Sequence, residues 1–296
     1  MHFSLKHWLH IVGGTFGLLG VVFVVMRLNT YIEQIDFTRF DTTAWSLLGL
    51  LALMYGAANV LLAQAWWHLL AFFSVEVERK WAVKTYGLSQ LAKYVPGNIF
   101  HLAGRQALGM AAGLPAGALA KSTLWELGLI ATAGAIFGLL ATPLVWPELS
   151  IPASIGAFGW ISALVIISLH WILSPSASAA LIWQIIFLTI SGSVFIGALF
   201  LVTPPITTFS TFSVLCGSYV IAWLAGLVTP GAPAGVGVRE LVLLFLLKGM
   251  MSESDLLLAI VLGRMITVAG DLLYFTLSGF ISTASFDVNY EEGIEK

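Results

Sequence analysis

Long apolar runs, separated by short polar or Pro/Gly-rich segments, dominate the hydropathy pattern of this 296-residue chain. Most runs are about 20 residues long, which is the length of an α-helix that spans the hydrocarbon core of a bilayer. The strands of a membrane barrel would be about half that length and would alternate in polarity. The sequence lacks that alternation, so the pattern predicts an all-α integral membrane protein with about six to eight transmembrane helices.

Six runs are predicted to be full spans. They are Leu9–Met26, Trp45–Phe73, Ala116–Thr142, Pro152–Leu173, Ala179–Val202 and Asp255–Ile281. A further apolar run, Thr207–Val228, leads into a Pro/Gly-rich segment. The apolar run Leu241–Leu247 is too short to span alone. Residues 283–296 form an acidic tail that is predicted to be disordered.

Composition supports this class and leaves no segment for a soluble domain. Only 9% of the residues are charged, against about 25% in soluble domains. Residues 1–296 are therefore predicted to form a single membrane domain. The net charge of -2 and the lack of a basic run give no indication of a nucleic-acid partner. The only cysteine, Cys216, lies in an apolar run, so no intrachain disulfide and no cysteine-based metal site is expected.

A basic region predicts the orientation of the chain. Arg79, Lys80, Lys84 and Lys93 lie between residues 74 and 93, and the positive-inside rule places this region in the cytoplasm. Both termini are then cytoplasmic as well. The aromatic residues of the same region predict a segment that lies at the membrane interface. These aromatic residues are Trp81, Tyr86 and Tyr94.

Two Pro/Gly-rich segments interrupt the apolar pattern, Lys93–Arg105 (KYVPGNIFHLAGR) and Thr229–Glu240 (TPGAPAGVGVRE). Proline and glycine break helices, and a broken backbone at membrane depth is tolerated only where protein or a water-filled cavity shields it. We interpret both segments as re-entrant elements. The alternative is that both cross the membrane fully, which gives about eight spans.

A weak internal repeat relates residues 74–142 to residues 207–282. Each half contains Pro-Gly, then an arginine, then Gly-Met, and each continues into a long helix with charges in its middle. Three full spans between two re-entrant elements place their openings on opposite sides of the membrane. The repeat is then inverted, as in many transporters, where the interrupted segments contain the binding site.

Charged residues inside the apolar mass are the candidate chemistry. They are Arg105, Glu126, Arg239, Glu240, Arg264 and Asp271. One interpretation is that these residues form buried ion pairs that fix helix packing. The other is a polar cavity, because burying ion pairs adds little stability once desolvation is counted. Arginine binds phosphate or carboxylate through two parallel hydrogen bonds, and helix N-termini after glycine-rich breaks add N–H donors. The second interpretation therefore predicts a site for an anionic headgroup.

Signals of catalysis are missing from the sequence. It has no nucleophile–base motif, no metal-ligand spacing and no phosphate-binding loop, and Gly235-Val236-Gly237 lacks the strand that a dinucleotide motif needs. We therefore expect no catalytic residue, no metal and no cofactor.

Three segments resemble the membrane region of the lysylphosphatidylglycerol synthase family, which includes many stand-alone membrane proteins. They are LAKYVPGNIFHLAGR, TPGAPAGVGVREL and LGRMITVAGDLLYF. In the synthases this region is the flippase, which moves an aminoacylated phospholipid between leaflets. The resemblance implies lipid transport in the cytoplasmic (inner) membrane of a prokaryote. The soluble aminoacyl-transferase domain of the synthases has no counterpart here, so synthesis of lysylphosphatidylglycerol is not expected.

The resemblance also implies site residues. The first family motif falls on Lys93, Pro96, Gly97, His101 and Arg105, and Asn98 replaces a glycine of its usual Pro-Gly-Gly. The second family motif falls on Pro230, Gly235, Gly237, Arg239 and Glu240. Together with Gly231, Glu126, Arg264 and Asp271, these residues form the predicted binding site for the lipid headgroup.

Three functions remain open at the level of sequence. The leading hypothesis is a lipid transporter in which Arg105 and Arg239 hold a lipid phosphate, as in a phospholipid or a polyprenyl phosphate. The second is a membrane enzyme that modifies a lipid-linked sugar with Glu240 and Asp271 as an acidic pair. The third is a scaffold for a lipid-synthesising enzyme.

Overall fold

The computed structural model describes residue 26 and residues 40–95, 99–203, 208–229 and 233–283. From residue 40 onward this described part contains nine α-helices and no β-strand. The helices are α1 (Thr42–Phe72), α2 (Arg79–Gln90), α3 (Phe100–Ala111), α4 (Ala116–Val145), α5 (Ile151–Ile172), α6 (Pro175–Phe200), α7 (Phe209–Val228), α8 (Val238–Leu246) and α9 (Glu253–Gly279). Two short 3₁₀ turns, Leu91–Tyr94 and Pro233–Gly235, follow α2 and precede α8.

Six of these helices, α1, α4, α5, α6, α7 and α9, are long and apolar enough to cross a membrane. This confirms the predicted fold class, an all-α integral membrane protein. The predicted span Leu9–Met26 lies outside the described residues except for its last residue.

Capping residues explain where several spans begin. Asp41, Ser150, Ser174, Thr208 and Ser252 each accept a hydrogen bond from the backbone N–H three residues later. Such a bond satisfies one of the N–H groups that the first turn of a helix leaves without a partner. The helices therefore begin at a polar residue just before or just inside each apolar run.

Close backbone packing joins α1 to α9. A Cβ atom placed on Gly56 would lie 2.9 Å from the carbonyl oxygen of Gly270, and one placed on Gly270 would lie 2.7 Å from that of Ala52. Small residues at such contacts let membrane helices approach closely. By contrast, the buried residues of α5 are Ser154 and Ser162 alone, so this helix lies at the edge of the bundle.

The first hairpin consists of α2, the turn Leu91–Tyr94 and α3. Arg105, in the first half of α3, lies with its guanidinium carbon 4.4 Å from the ring centre of Tyr86, which is near the end of α2. The chain therefore folds back on itself. Each arm has 12 residues, about 18 Å of helix, which is shorter than the roughly 30 Å hydrocarbon core.

The aromatic side chains from which an interfacial segment was predicted do not face outward. Trp81, Tyr86 and Tyr94 are all buried in the protein. Trp81 and Tyr86 pack against Trp66 of α1, so the aromatic residues of the first hairpin anchor it to the bundle.

The second hairpin consists of α7, the turn Pro233–Gly235 and α8. A Cβ atom placed on Gly235 would lie 2.8 Å from the Cα of Gly226 in α7, and Arg239 of α8 lies over the ring of Trp223. The short α8 thus folds back against the end of α7. Gly235 has a φ of 71°, a conformation that glycine adopts at little cost.

The two hairpins pack against opposite ends of α4. Gln106 of α3 donates hydrogen bonds to the Leu119 carbonyl and to Thr123, both in the first half of α4. Gly217 of α7 lies against Leu140, near the other end of α4. The tips of the hairpins meet in the middle of the bundle, in an apolar cluster. Its members are Leu91, Tyr94, Ala234 and Val268.

Candidate functional site

A cavity of about 80 Å³ lies where the two hairpin tips meet. A buried water needs about 10–15 Å³, so the cavity has room for several waters or a small polar group. Its wall contains six of the predicted site residues. They are Lys93, His101, Glu126, Arg239, Arg264 and Asp271. Arg105 and Glu240 are the ion-pair partners of two of these residues.

Arg105 is bound to Glu126 inside the bundle. Both guanidinium NH groups of Arg105 reach the Glu126 carboxylate, with Nη1 3.1 Å from Oε1. The guanidinium lies between the rings of Trp66 and Tyr86, and the Tyr86 hydroxyl donates to the same carboxylate. Only 2% of the Arg105 side chain is exposed, so this pair joins the first hairpin to α4.

Asp271 of α9 is the centre of a second network. Its side chain is fully buried, and Lys93 Nζ lies 2.7 Å from its Oδ2. The Tyr94 hydroxyl donates to Oδ2 at 2.6 Å, and Asn59 and Gln90 donate to Oδ1. The carboxylate therefore joins the tip of the first hairpin to α1 and α9.

Arg264 of α9 holds the tip of the second hairpin. Its Nε donates to Glu240 of α8 at 2.8 Å. Its Nη1 and Nη2 donate to the backbone carbonyls of Ala234 and Gly235 at 2.9 and 3.1 Å. The broken backbone of this segment is thus satisfied by an arginine from a neighbouring helix, as a shielded break requires.

Arg239 has different surroundings. Within the described part of the chain no carboxylate lies within 4 Å of it, and its Nε is buried without a hydrogen-bond partner. Its side chain passes between Gly226 and Gly235, where an added Cβ would lie 2.8 and 2.7 Å from Nε. Its guanidinium carbon lies 5.6 Å from the ring centre of Trp223. Among the described residues, Arg239 is therefore the cation of the cavity that has no carboxylate within 4 Å.

The charge balance follows from these pairs. Four cations and three carboxylates belong to the cavity and its ion pairs, which leaves one net positive charge. A further basic side chain of the wall, His101, has a buried Nδ1 without a hydrogen-bond partner among the described residues. A cavity of this sign attracts an anion.

The remaining predicted site residues are of two kinds. Gly235 supports the site through its carbonyl, and Gly237 is exposed and precedes α8. Pro96, Gly97, Asn98, Pro230 and Gly231 lie outside the described residues. Arg264 and Asp271 line the cavity together with Thr267, which lies between them on α9.

Sequence reasoning missed the uncharged polar partners. Tyr94, Asn59 and Gln90 bind Asp271, and Tyr86 binds Glu126. The signal that could have identified Asn59 was an amide in the middle of an apolar span, which needs a buried partner. For the tyrosines the signal was ambiguous, because tyrosine suits both a membrane interface and a buried hydrogen bond.

The acidic pair that the enzyme hypothesis requires is not formed. Glu240 is paired with Arg264, and Asp271 is paired with Lys93. In the described part of the chain, no group of three or more His, Cys, Asp or Glu side chains could hold a metal ion.

The fold and this buried polar centre define the class of protein: an all-α, multi-pass membrane protein with ion pairs inside its helix bundle. Comparisons with protein-family models, with curated proteins and with solved structures found no match to this chain.

Proposed function

We propose that this protein is a lipid transporter that moves a lipid with an anionic headgroup between the leaflets of the cytoplasmic membrane. The observation that carries the proposal is Arg239, a partly buried cation in the cavity wall whose Nε is buried and which has no carboxylate within 4 Å among the described residues. Holding an unpaired charge inside a protein is costly, and an arriving phosphate removes that cost.

The fork of an arginine suits phosphate because it can donate two parallel hydrogen bonds. Arg239 is the arginine available for this role. Arg105, which the sequence analysis paired with it, is already bound to Glu126 through both of its terminal nitrogens. The headgroup is therefore held by Arg239, with Lys93 as the second cation of the cavity wall.

The rest of the cavity wall suits the remainder of a lipid. Apolar side chains from α3, α4 and α7 line one part of it. They are Leu102, Leu127, Ile130 and Leu227. An acyl or prenyl chain can follow this apolar wall outward into the bilayer while the phosphate stays in the polar centre.

The arrangement of the hairpins suits movement between two leaflets. We infer that the first hairpin re-enters the membrane from the cytoplasmic side and the second from the opposite side. Their packing against opposite ends of α4, with a polar cavity at the tips, supports this inference. Transporters built from inverted repeats bind substrate at such a place. The resemblance to the membrane region of lysylphosphatidylglycerol synthases supports the same function.

A liposome assay tests the proposal. The full chain is reconstituted in phosphatidylcholine vesicles that contain one fluorescent anionic lipid: phosphatidylglycerol, phosphatidic acid or an isoprenyl phosphate. A membrane-impermeant quencher measures how fast the lipid exchanges between leaflets. A charge-assisted hydrogen bond contributes about 1.5–3 kcal/mol, and about 1.4 kcal/mol is a factor of ten. We therefore expect Arg239→Gln to slow exchange of the transported lipid at least tenfold.

The control is Lys80→Gln, which removes an exposed cation at the base of the first hairpin. This variant should exchange the lipid at a rate close to that of the wild type. Exchange of all three lipids at rates no faster than in protein-free vesicles contradicts the proposed function. A wild-type rate in Arg239→Gln contradicts the assignment of the phosphate site.

A further inference from the structure

The three ion pairs of the cavity differ in how freely their cations can move. The guanidinium of Arg105 lies between two aromatic rings, and that of Arg264 is bound to two backbone carbonyls as well as to Glu240. Among the described residues, Lys93 contacts only one aromatic ring, that of Tyr94 at 5.5 Å from the ring centre, and it has no hydrogen bond to a backbone carbonyl. Its ammonium group lies on a flexible four-carbon stem, 17% of its side chain is exposed, and it lines the cavity.

We propose that Asp271 is the proton-coupling residue of the transporter: it takes up a proton when an anionic headgroup draws Lys93 away from it. The inference rests on the proposed function. The juxtaposition that carries it is a fully buried carboxylate whose cationic partner, Lys93, also faces the cavity.

The surroundings of Asp271 determine what happens once Lys93 moves. Within the described residues, Lys93 is the only cation within 4 Å of the carboxylate. The titratable groups that line the same cavity from the other elements are Tyr55 of α1, Tyr86 of α2, Tyr94 of the first hairpin tip, His101 of α3, Glu126 of α4, Arg239 of α8 and Arg264 of α9. Both arginines have roles of their own, in the phosphate site and in the pair with Glu240. The carboxylate would then be a buried charge held only by uncharged donors.

A buried carboxylate without a cation is strongly disfavoured, and protonation removes the charge. The proton comes from the water of the cavity, which Asp271 lines. No other bond changes: the lysine keeps its charge and exchanges a carboxylate for a phosphate. The Tyr94 hydroxyl, which now donates to Oδ2, can instead accept a hydrogen bond from the new acid, because a hydroxyl does both. The site therefore tolerates both states of Asp271.

The exchange also changes the charge that the cavity presents. With Asp271 ionised, one net positive charge faces the headgroup, and with Asp271 protonated there are two. Binding of an anion and uptake of a proton then favour each other, since linked equilibria act in both directions. A proton gradient across the membrane could drive the lipid through this linkage.

Titration calorimetry tests the inference with the full chain in phosphatidylcholine nanodiscs. Short-chain phosphatidylglycerol is the first probe, because its phosphodiester keeps one charge near neutral pH. Titrations in two buffers with different ionisation enthalpies give the number of protons taken up per bound lipid. We expect about one proton per lipid for the wild type. Asp271→Asn should bind the lipid more tightly, because loss of the carboxylate raises the net charge of the cavity by one. This variant should take up no proton.

Two further variants keep the test decisive if Asp271→Asn folds poorly. In Lys93→Met the carboxylate lacks its cation before the lipid arrives, so binding should weaken and proton uptake should be lost. Glu148→Gln removes an exposed carboxylate far from the cavity and should keep both lipid binding and proton uptake.

If phosphatidylglycerol does not bind, phosphatidic acid and the isoprenyl phosphate are titrated in the same way, with the ionisation of each free lipid subtracted. Binding without proton uptake overturns this inference alone, whereas failure of all three lipids to bind overturns the proposed function with it.

Discussion

Arg105 and Arg239 come from equivalent broken segments but have opposite electrostatic surroundings. Arg105 has a carboxylate, a tyrosine hydroxyl nearby and two aromatic rings around its guanidinium. Arg239 has one ring and two glycines, and its Nε has no partner among the described residues. We infer that the first arrangement stabilises the folded protein, whereas in the proposed transporter the second holds a charge ready for a ligand.

We predict that the two arginines affect stability in opposite ways. Arg105→Gln leaves the Glu126 carboxylate buried without its cation, and breaking a buried pair costs about 3–5 kcal/mol. Arg239→Gln removes an unpaired charge, so the free energy of unfolding should stay the same or rise. Thermal unfolding in detergent, followed by tryptophan fluorescence, compares the two midpoints. Equal losses in both variants would show that Arg239 is a structural residue.

A third variant separates charge from packing at the first pair. In the double variant Arg105→Gln/Glu126→Gln neither partner remains charged, so much of the stability lost in Arg105→Gln should return. Residues in direct contact are expected to be non-additive in this way. A double variant as unstable as the sum of the two single variants would mean that the ring contacts of Arg105, and not its charge pair, hold the hairpin.

At the scale of the helices, the sequence predicted which elements exist but not which residues meet. The apolar runs placed the described spans within a few residues of the observed helices, because the length of a span is a local property. The partner of each buried charge is not local. Arg105 could have paired with Glu126, Glu240 or Asp271, and only the packing of the first hairpin against α4 selects Glu126.

Two glycines of α1 test the packing of this scaffold. Gly56 touches the backbone of Gly270, whereas nothing lies within 4 Å of the position that a Cβ atom on Gly49 would take. Gly56→Ala should therefore push α1 away from α9 and lower the thermal midpoint. Gly49→Ala should leave it unchanged or raise it slightly, since alanine favours a helix over glycine by up to about 1 kcal/mol.

The same pair of variants also reports on the site. Asn59, one turn after Gly56, binds Asp271, so a shift of α1 disturbs the network around that carboxylate. Gly56→Ala should therefore slow lipid exchange in liposomes as well as lower stability. A Gly56→Ala variant with the stability and exchange rate of Gly49→Ala would show that the α1–α9 contact does not position Asp271.

For the whole molecule, the placement of α7 is what sequence alone left open. Its 20 residues are enough to span a membrane, so length cannot distinguish a full span from one arm of a re-entrant hairpin. The contacts with α4 support the proposal that α7 is one arm of a re-entrant hairpin. Leu224, near the end of α7, lies against Gly134 of α4. The part of α4 that precedes Gly134 contacts α3 instead. The end of α7 therefore reaches only the middle of the bundle.

Cysteine labelling tests this placement in a Cys216→Ala background. Single cysteines replace Lys80 and Ser254 at the bases of the two hairpins, and Ile99 and Val228 near their tips. All four positions lie on the surface of the protein: Ile99 and Val228 are 60% and 62% exposed, and Lys80 and Ser254 are exposed as well.

In re-entrant hairpins both tips face lipid at the middle of the bilayer. A membrane-impermeant maleimide should then label Lys80→Cys from the cytoplasmic side and Ser254→Cys from the opposite side. It should label Ile99→Cys and Val228→Cys from neither side until detergent is added. Full crossing gives a different result, because the tip cysteines then emerge in water: Ile99→Cys would be labelled from the side of Ser254, and Val228→Cys from the side of Lys80.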